Sequence, residues 1–587
     1  MQRSLCYSLL LATFFWISNS VFALSVVSGP TFTPATNAPL AGRLQLATDS
    51  ASRVSVSVDD GTSVWTHDFY DFGTTHSVPL LGFKPGTTNV ISISLYDQNQ
   101  NLTAVEQTLT FVSPALPLDF PILTVLQDDP SRMEPGYTLF HIVLGNTNYQ
   151  AIIDNTGQVV WYSPVNSFLE IRQLTNGDLF ISSLTNFMEL NMLGELVQSW
   201  VVPTNLLVNL HDQVLTDHGT ILYMSDTSTV VSNYPTSTTV ATAPRTTANN
   251  VIYQTVVELS ATNGAVLNVW PLINLLEPNR ITYLTSLGPP VWDSEHGNGL
   301  IEDPSDNSII VSLRHQNVVL KFSRETGQLV WLLGPPQNWD APWQPYLLTP
   351  VGAPFEWEYG QHTPVLTPQG TLMVYDDGNY RATPFDPPVG DATNYSRAVE
   401  YQIDPESMVV SQAWEYGSNA VDQLYTDKVG SAEPMPQTGN VLICFGSVKY
   451  VNGVPPSVYG PNATMARIQE VTHDANPEVL FDLAVTEYNN PHAATKALYV
   501  YRSYRIADLY AHPALPVADL TISYQTDTAQ LQFSGDPTHT YMVEASTDLA
   551  NWVELGVAAE EGQSGSFSFQ EPAGSGNAFR YFRVVTY

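Results

Sequence analysis

Three histidines and one arginine are the residues of this chain whose types and spacing point to chemistry. His362 lies eight residues before Gly370 in HTPVLTPQG, and His211 lies eight before Gly219 in HDQVLTDHG. His296 precedes the turn at Asn307 and Ser308 by eleven or twelve residues, the excess falling in EDPSDN. Arg314, in SIIVSLRHQ, ends the strand that follows His296. A single histidine can simply be a satisfied polar group in a core, whereas three in register beside an arginine ask for a common purpose. Three imidazoles can hold zinc with an open position, but a fixed positive charge at the same mouth works against a cation. A guanidinium fork instead suits a tetrahedral oxyanion. A neutral histidine can also be a nucleophile, with neighbouring imidazoles moving protons near neutral pH. The set predicts chemistry on a sulfate or phosphate ester, without metal or other cofactor.

The loop before His362, NWDAPWQPYLLTPVGAPFEWEYG, holds Trp339, Trp343, Tyr346, Phe355, Trp357 and Tyr359. Such a segment is either core packing or an aromatic wall around a ring-bearing substrate.

The elements that must position these residues form a repeat. A strand ending in a large aromatic, usually after a turn glycine, recurs at Trp161, Trp200, Trp270, Trp331, Trp414 and Phe481. After each comes a second turn and a short apolar strand: NGDLFIS, HGTILYM, DNSIIVS, QGTLMVY, TGNVLIC and TKALYVY. Six pairs over residues 116–515 predict an all-β, six-bladed β-propeller. Equivalent strand starts in a propeller converge on its axis, which would bring the histidines together. Residues 24–115 alternate apolar and polar side chains, as in RVSVSV and NVISISLY, and end in PALPLDFP; they read as a small β-sandwich and linker. Residues 517–587 read as a second small sandwich.

The first 23 residues, MQR followed by an apolar run and Val21-Phe22-Ala23, have the form of a cleaved signal peptide. A periplasmic or secreted protein is therefore expected, with no later run long enough to span a bilayer. Formal net charge is −35 and only 13% of residues are charged, which argues against nucleic acid or an anionic membrane as partner. Cys444 is the one cysteine left after cleavage, so no intramolecular disulfide is expected.

The segments HGNGLIEDPSDNSIIVSLRHQNVVLKFSRETGQLVWLLG, EYGQHT and YSRAVEYQIDPESMVVSQAWEYG resemble the bacterial periplasmic aryl sulfotransferases that use no nucleotide donor. The likeness runs over residues 25–515. It implies a six-bladed propeller whose histidine is transiently sulfated by an aryl sulfate and passes the sulfuryl group to a phenol. On this resemblance His362 matches the nucleophile, His296 and Arg314 the groups gripping the sulfuryl oxygens, and His211 the remaining site histidine. Asn298 and Thr363 fall where supporting contacts belong, and Trp357 and Tyr359 are the aromatic candidates for the substrate wall. The family also implies a homodimer formed through the N-terminal domain. Two departures stand out: the family's cysteine pair near the active site is missing, and WDSE replaces the usual aromatic pattern before His296.

Two other readings compete. Propellers of quinone-dependent dehydrogenases share the aromatic repeat, but usually with eight blades and a calcium site; a non-catalytic ligand-binding propeller leaves the registered histidines unexplained. Hydrolysis instead of transfer is an alternative within the same class. Of the remaining histidines, His315 should alternate to the strand face opposite Arg314 and is read as structural. Arg502 and Arg505, in YVYRSYR, are read at the position corresponding to Arg314, where either one of them adds charge to the channel or they pair with the abundant surface carboxylates.

Overall fold

The computed structural model describes residues 24–97, 102–145, 147–164, 169–216, 218–456, 464–486, 498–510, 518–525, 528–535, 541–547, 552–560, 566–571 and 581–586. The expected signal peptide, His492 and His512 lie outside them. Among the described residues the chain is built of β-strands, with helix only as four three-residue 3-10 turns. No helix among them is long and apolar enough to cross a membrane.

The alternating N-terminal segment forms one five-stranded antiparallel sheet. Its long strand Gly42–Asp59 pairs with Val26–Pro34, Val64–Leu80 and Thr88–Tyr96. Period-two alternation sends Leu44, Leu46, Val54, Val56 and Val58 inward. That interior is continuous with Phe140, Ile142, Tyr149 and Leu483 of the sheets that follow. At the other end, a four-stranded and a three-stranded sheet enclose their own core of Leu531, Phe533, Tyr541, Val543 and Phe567.

Between these, among the described residues, lie six mainly antiparallel sheets in a propeller-like arrangement, two of them with a short parallel strand added. The strand Val208–Leu215 touches Gly297–Asp303, which touches His362–Leu366, then Gly430–Pro434, then Leu498–Ile506. The recurrent aromatics sit on the far strands, and their role is visible in their hydrogen bonds. Trp161 Nε1 donates to the Met192 carbonyl at 2.8 Å, Trp200 Nε1 to Ala261 at 2.5 Å and Trp414 Nε1 to Asp474 at 3.0 Å. Each acceptor belongs to the following sheet, so the ring fills the seam between sheets while its one polar atom ties the seam down.

Two sheets join the ends of this region. Ile122–Asp128 pairs with Val479–Thr486, and Tyr137–Leu144 with Leu498–Ile506. The last strand pair differs from the sequence expectation. The described part of TKALYVY is the edge strand of its sheet next to Tyr137–Leu144, equivalent to the inner strands, rather than the second strand of a sixth repeat. Arg502 therefore lies on an inner strand and does not correspond to Arg314.

Trp161 is completely buried and carries a hydrogen bond across a seam. Trp161→Ala should lower the unfolding free energy by about 3–5 kcal/mol, the cost of a large core cavity. A urea titration showing a shift of less than about 1 kcal/mol would refute the seam-filling role.

Candidate active site

One local device presents all three histidines. The strand carrying His211 breaks register between Val208 and Gln213, with Leu210 at φ 71°. His296, at φ 50°, immediately precedes a shift between Gly297 and Gly299. His362 opens a shift that ends at Val365, with Thr363 at φ 47°. A bulge leaves a residue unpaired and re-aims its neighbour's side chain. Left-handed backbone at leucine, histidine and threonine is sterically costly, and such residues cluster where function requires them.

His362 is buried. Its Nδ1 lies 3.1 Å from the Gly360 carbonyl and 2.7 Å from Asp377 Oδ2. A carbonyl can only accept, so Nδ1 carries the ring proton and Nε2 holds the lone pair. Burial holds the imidazole well below its ordinary pKa, and the charges of Arg314, Arg502, His296 and His211 act in the same direction. The ring is neutral at neutral pH, the state a nitrogen nucleophile needs.

His296 and His211 face each other at 4.8 Å between ring centroids. Asp293 Oδ2 accepts from His296 Nδ1 at 2.8 Å. That carboxylate is set in place because Trp292–Asp293 pairs with Val251–Ile252 of the preceding sheet. His211 Nδ1 donates to the Asn209 carbonyl at 2.8 Å, and burial first, then His296, push its pKa down to about 3. His211 is thus a neutral hydrogen-bonding group, while His296 has a carboxylate to support a proton on its other nitrogen.

Arg314 begins a 3-10 turn directly after the strand Ser308–Leu313. Its Nη2 donates to Asn379 Oδ1 at 3.1 Å and to the Asp427 carbonyl at 2.8 Å, and its Nη1 lies 3.2 Å from His315 Nε2. These acceptors are neutral, and Arg314 makes no ion pair among the described residues. The turn also corrects the reading of His315. Strand alternation stops at Leu313, so His315 joins the same cluster, stacked on His296 with centroids 4.5 Å apart. Burial, then His296, push its pKa down to about 3. Asp293, His296 and His315 together offer donor atoms spaced to hold a metal ion; the guanidinium beside His315 makes that a poor cation site.

Arg502 is the second guanidinium here, and unlike half-buried Arg314 it is fully buried. It pairs with Glu170 at 3.2 Å and Asp212 at 3.1 Å and donates to the Asn298 carbonyl at 2.6 Å. Arg505, by contrast, is tied to Glu470 at 2.6 Å. Asn298 Nδ2 donates to the Gln361 carbonyl at 2.8 Å and its Oδ1 accepts from Ser312 Oγ at 2.8 Å. Thr363 Oγ1 donates to the Gly430 carbonyl at 2.8 Å. Both side chains are spent on holding the backbone around His362.

Several aromatics of the loop pack against cores, while Tyr346 is exposed. Trp339 is buried under Arg280, whose guanidinium lies 4.2 Å above the ring. Trp357 packs edge-to-face on Phe355 in the core cluster of Ile310, Val374 and Tyr401. Tyr359 contributes backbone to the site, donating its N–H to Asp376 Oδ1 and accepting from Gly378 and Asn379. Sequence reasoning missed Asp293, Asp377 and Asn379. The available signal was their position, in WDSEH and YDDGN next to two bulged histidine strands.

The arylsulfotransferase (ASST) family profile matches residues 95–501, and that of the arylsulfotransferase Ig-like domain matches residues 31–114. The chain is 25% identical over 381 residues to arylsulfate sulfotransferase AssT of Escherichia coli O6:H1, covering 54% of this chain and 61% of that protein. It is 24% identical over 368 residues to AssT of Lelliottia amnigena, covering 52% of this chain and 59% of the relative. The aligned region thus spans about three-fifths of each curated relative. A Bacteroides caccae protein of unknown function matches in structure at TM-score 0.36 and 13% identity over 63% of this chain and 98% of its own, too weak to carry an argument.

Glu358, four residues before His362, is fully buried, and neither carboxylate oxygen has an aligned donor among the described residues. Burial pushes its pKa up from 4.5 to about 8. Between those values the folded state binds the extra proton, so this group's contribution falls as pH rises, by about 1.4 kcal/mol per unit, and is lost above about 8. Glu358→Gln removes the slope. Its stability relative to the parent should climb between pH 5 and 8 in urea titrations; parallel pH profiles would show that Glu358 is ionised in the fold.

Proposed function

The chain belongs to the arylsulfotransferase family, and on that premise we propose that it moves a sulfuryl group from an aryl sulfate to a phenol through a covalent sulfohistidine at His362. The observation that carries the reading is the state of His362: a neutral ring, Nδ1 committed to the Gly360 carbonyl, Nε2 free, among groups whose charge favours an anionic ligand.

In the first half-reaction Nε2 forms a bond to sulfur while the bond between sulfur and the aryl oxygen breaks, its electron pair leaving on that oxygen. Arg314, which forms no ion pair among the described residues, meets the sulfuryl oxygens with its charge, whereas neutral His211, its one proton given to the Asn209 carbonyl, offers only a lone pair at Nε2. His296, held by Asp293, protonates the departing phenolate through Nε2; His211 resists protonation too strongly to do so. A phenol then enters, gives its proton to His296 Nε2 and takes the sulfuryl group, restoring neutral His362. Preorganised cations aimed at redistributing charge supply the stabilisation, so neither metal nor nucleotide enters the scheme. Export, on the strength of the leader-like N terminus, and self-association through the N-terminal sheet edges belong to the same proposal.

Incubation with a nitrophenyl sulfate, rapid quench without acid and peptide mass analysis should find the sulfuryl group on His362. Added phenol should discharge it faster than water does; discharge at the same rate would mark a hydrolase. Arg314→Lys, which keeps charge but not the planar fork, should lower kcat about tenfold, and Arg314→Gln on the order of 100-fold. Turnover by a wild-type enzyme that never accumulates or passes through the adduct would falsify the covalent route.

A further inference from the structure

His362 is neutral before the reaction and cationic after it. When Nε2 takes the sulfuryl group the ring keeps its Nδ1 proton, so imidazole becomes an N-sulfoimidazolium. That charge forms where Arg314 and Arg502 already oppose a positive ring. Something on the Nδ1 side must offset it.

Asp377 is the group placed to do so. Its Oδ2 lies 2.7 Å from Nδ1, in ion-pair contact but out of line for a hydrogen bond while the Nδ1 proton is given to the Gly360 carbonyl, and both side chains are buried. Its other oxygen accepts from Thr426 Oγ1 at 3.0 Å. Thr426 is fixed in turn: its Oγ1 lies 2.8 Å from Tyr375 Oη and 2.9 Å from Ser396 Oγ, and Ser396 Oγ donates to the Asp377 carbonyl at 2.6 Å. The neighbouring Asp376 is directed elsewhere, to Arg397 at 2.9 Å and Arg381 at 3.1 Å. Of the adjacent acids in YDDGN, one anchors arginines of its own sheet and the other is held against the histidine.

We propose that Asp377 is the positioning residue of His362: its carboxylate keeps the ring in the Nδ1–H tautomer, leaving the Nε2 lone pair for sulfur, and matches the charge of the sulfoimidazolium. The proposal rests on His362 being the nucleophile. Burial lifts the Asp377 carboxyl well above its ordinary range and lowers the imidazole, so charge on either is costly unless the other answers it. Sulfation supplies that match, and the gain is made as the reaction proceeds rather than on binding.

The test compares Asp377→Asn and Asp377→Ala in single-turnover sulfation by nitrophenyl sulfate, following the His362 adduct by rapid quench. Asparagine keeps the shape, but its amide can donate to Nδ1 and so hold the ring proton on Nε2, the wrong tautomer. Alanine removes the charge yet leaves the Gly360 carbonyl to orient the ring. The expected order is wild type, then Ala at about tenfold slower, then Asn at least about 100-fold slower, with the loss in kcat and KM within about threefold. A merely structural residue gives the opposite order, because Asn disturbs packing least. An Asn variant that sulfates as fast as wild type, or faster than Ala, overturns the proposal while leaving the adduct chemistry standing. A wild-type enzyme that forms no His362 adduct overturns the proposal together with the reading beneath it.

Discussion

The arrangement depends on how two guanidinium groups, Arg502 buried and Arg314 half-buried, are compensated. Removing a charge from water costs several kcal/mol unless partners replace the lost solvation. The charge of Arg502 is matched by Glu170 and Asp212, and its Nη2 donates to the Asn298 carbonyl. Arg314 is satisfied only by neutral acceptors, an asparagine oxygen, a backbone carbonyl and an imidazole. Its Nη atoms are met by hydrogen bonds, its Nε is not, and no carboxylate among the described residues pairs with it directly. The electrostatic field of Arg314 is therefore available to an anion, whereas that of Arg502 is largely absorbed. Arg502 instead couples the strand Leu498–Ile506 to the Asn298 backbone across the channel, which fixes the stretch next to His296.

The neutral state of His362 follows from the same field. A cationic imidazole between these groups would meet like charge on one side and desolvation on all sides. Proton affinity is suppressed while the lone pair stays exposed to whatever the arginine attracts. The bulges complete the arrangement, because a regular strand would turn alternate side chains away from the axis. Each histidine instead stands where pairing slips by one or more residues, and Asn298 and Thr363 hold the slipped backbone by bonding to the next strand's carbonyls.

Much of this was legible in the sequence because it is local. Turn glycines, period-two alternation and recurrent tryptophans expose the strand repeat, and equal spacing from His211 and His362 to their turns exposes the shared position. Other features depended on pairings between residues hundreds of positions apart. Leu498–Ile506 looks like one more second strand until Tyr137–Leu144 is found beside it. His315 was misassigned because alternation was extended two residues past Leu313, where the backbone tightens into a 3-10 turn. Asp293 and Asp377 were unreadable for another reason: in a chain with 56 acidic residues, an aspartate near a histidine carries little information until a distance singles it out. The aromatic loop was readable either as core packing or as a substrate wall, and sequence could not choose because the partners of Trp339 and Trp357 lie in cores assembled from distant strands.

The global charge and the local site pull in opposite directions. At −35 the protein repels an anionic ester at long range, and with 21 lysines and arginines it has few cations to spare. Most of the arginines placed near the channel are already matched: Arg172 by Glu170 and Asp212, Arg505 by Glu470, Arg397 and Arg381 by Asp376. Selectivity for an anion then cannot come from steering and must come from contact, where a guanidinium held in no direct ion pair among the described residues outweighs distant charges screened beyond about 10 Å. A site built this way gives little to a ligand at the surface and most to one that has shed its water beside Arg314, which is where redistribution of charge on a sulfuryl group would be felt.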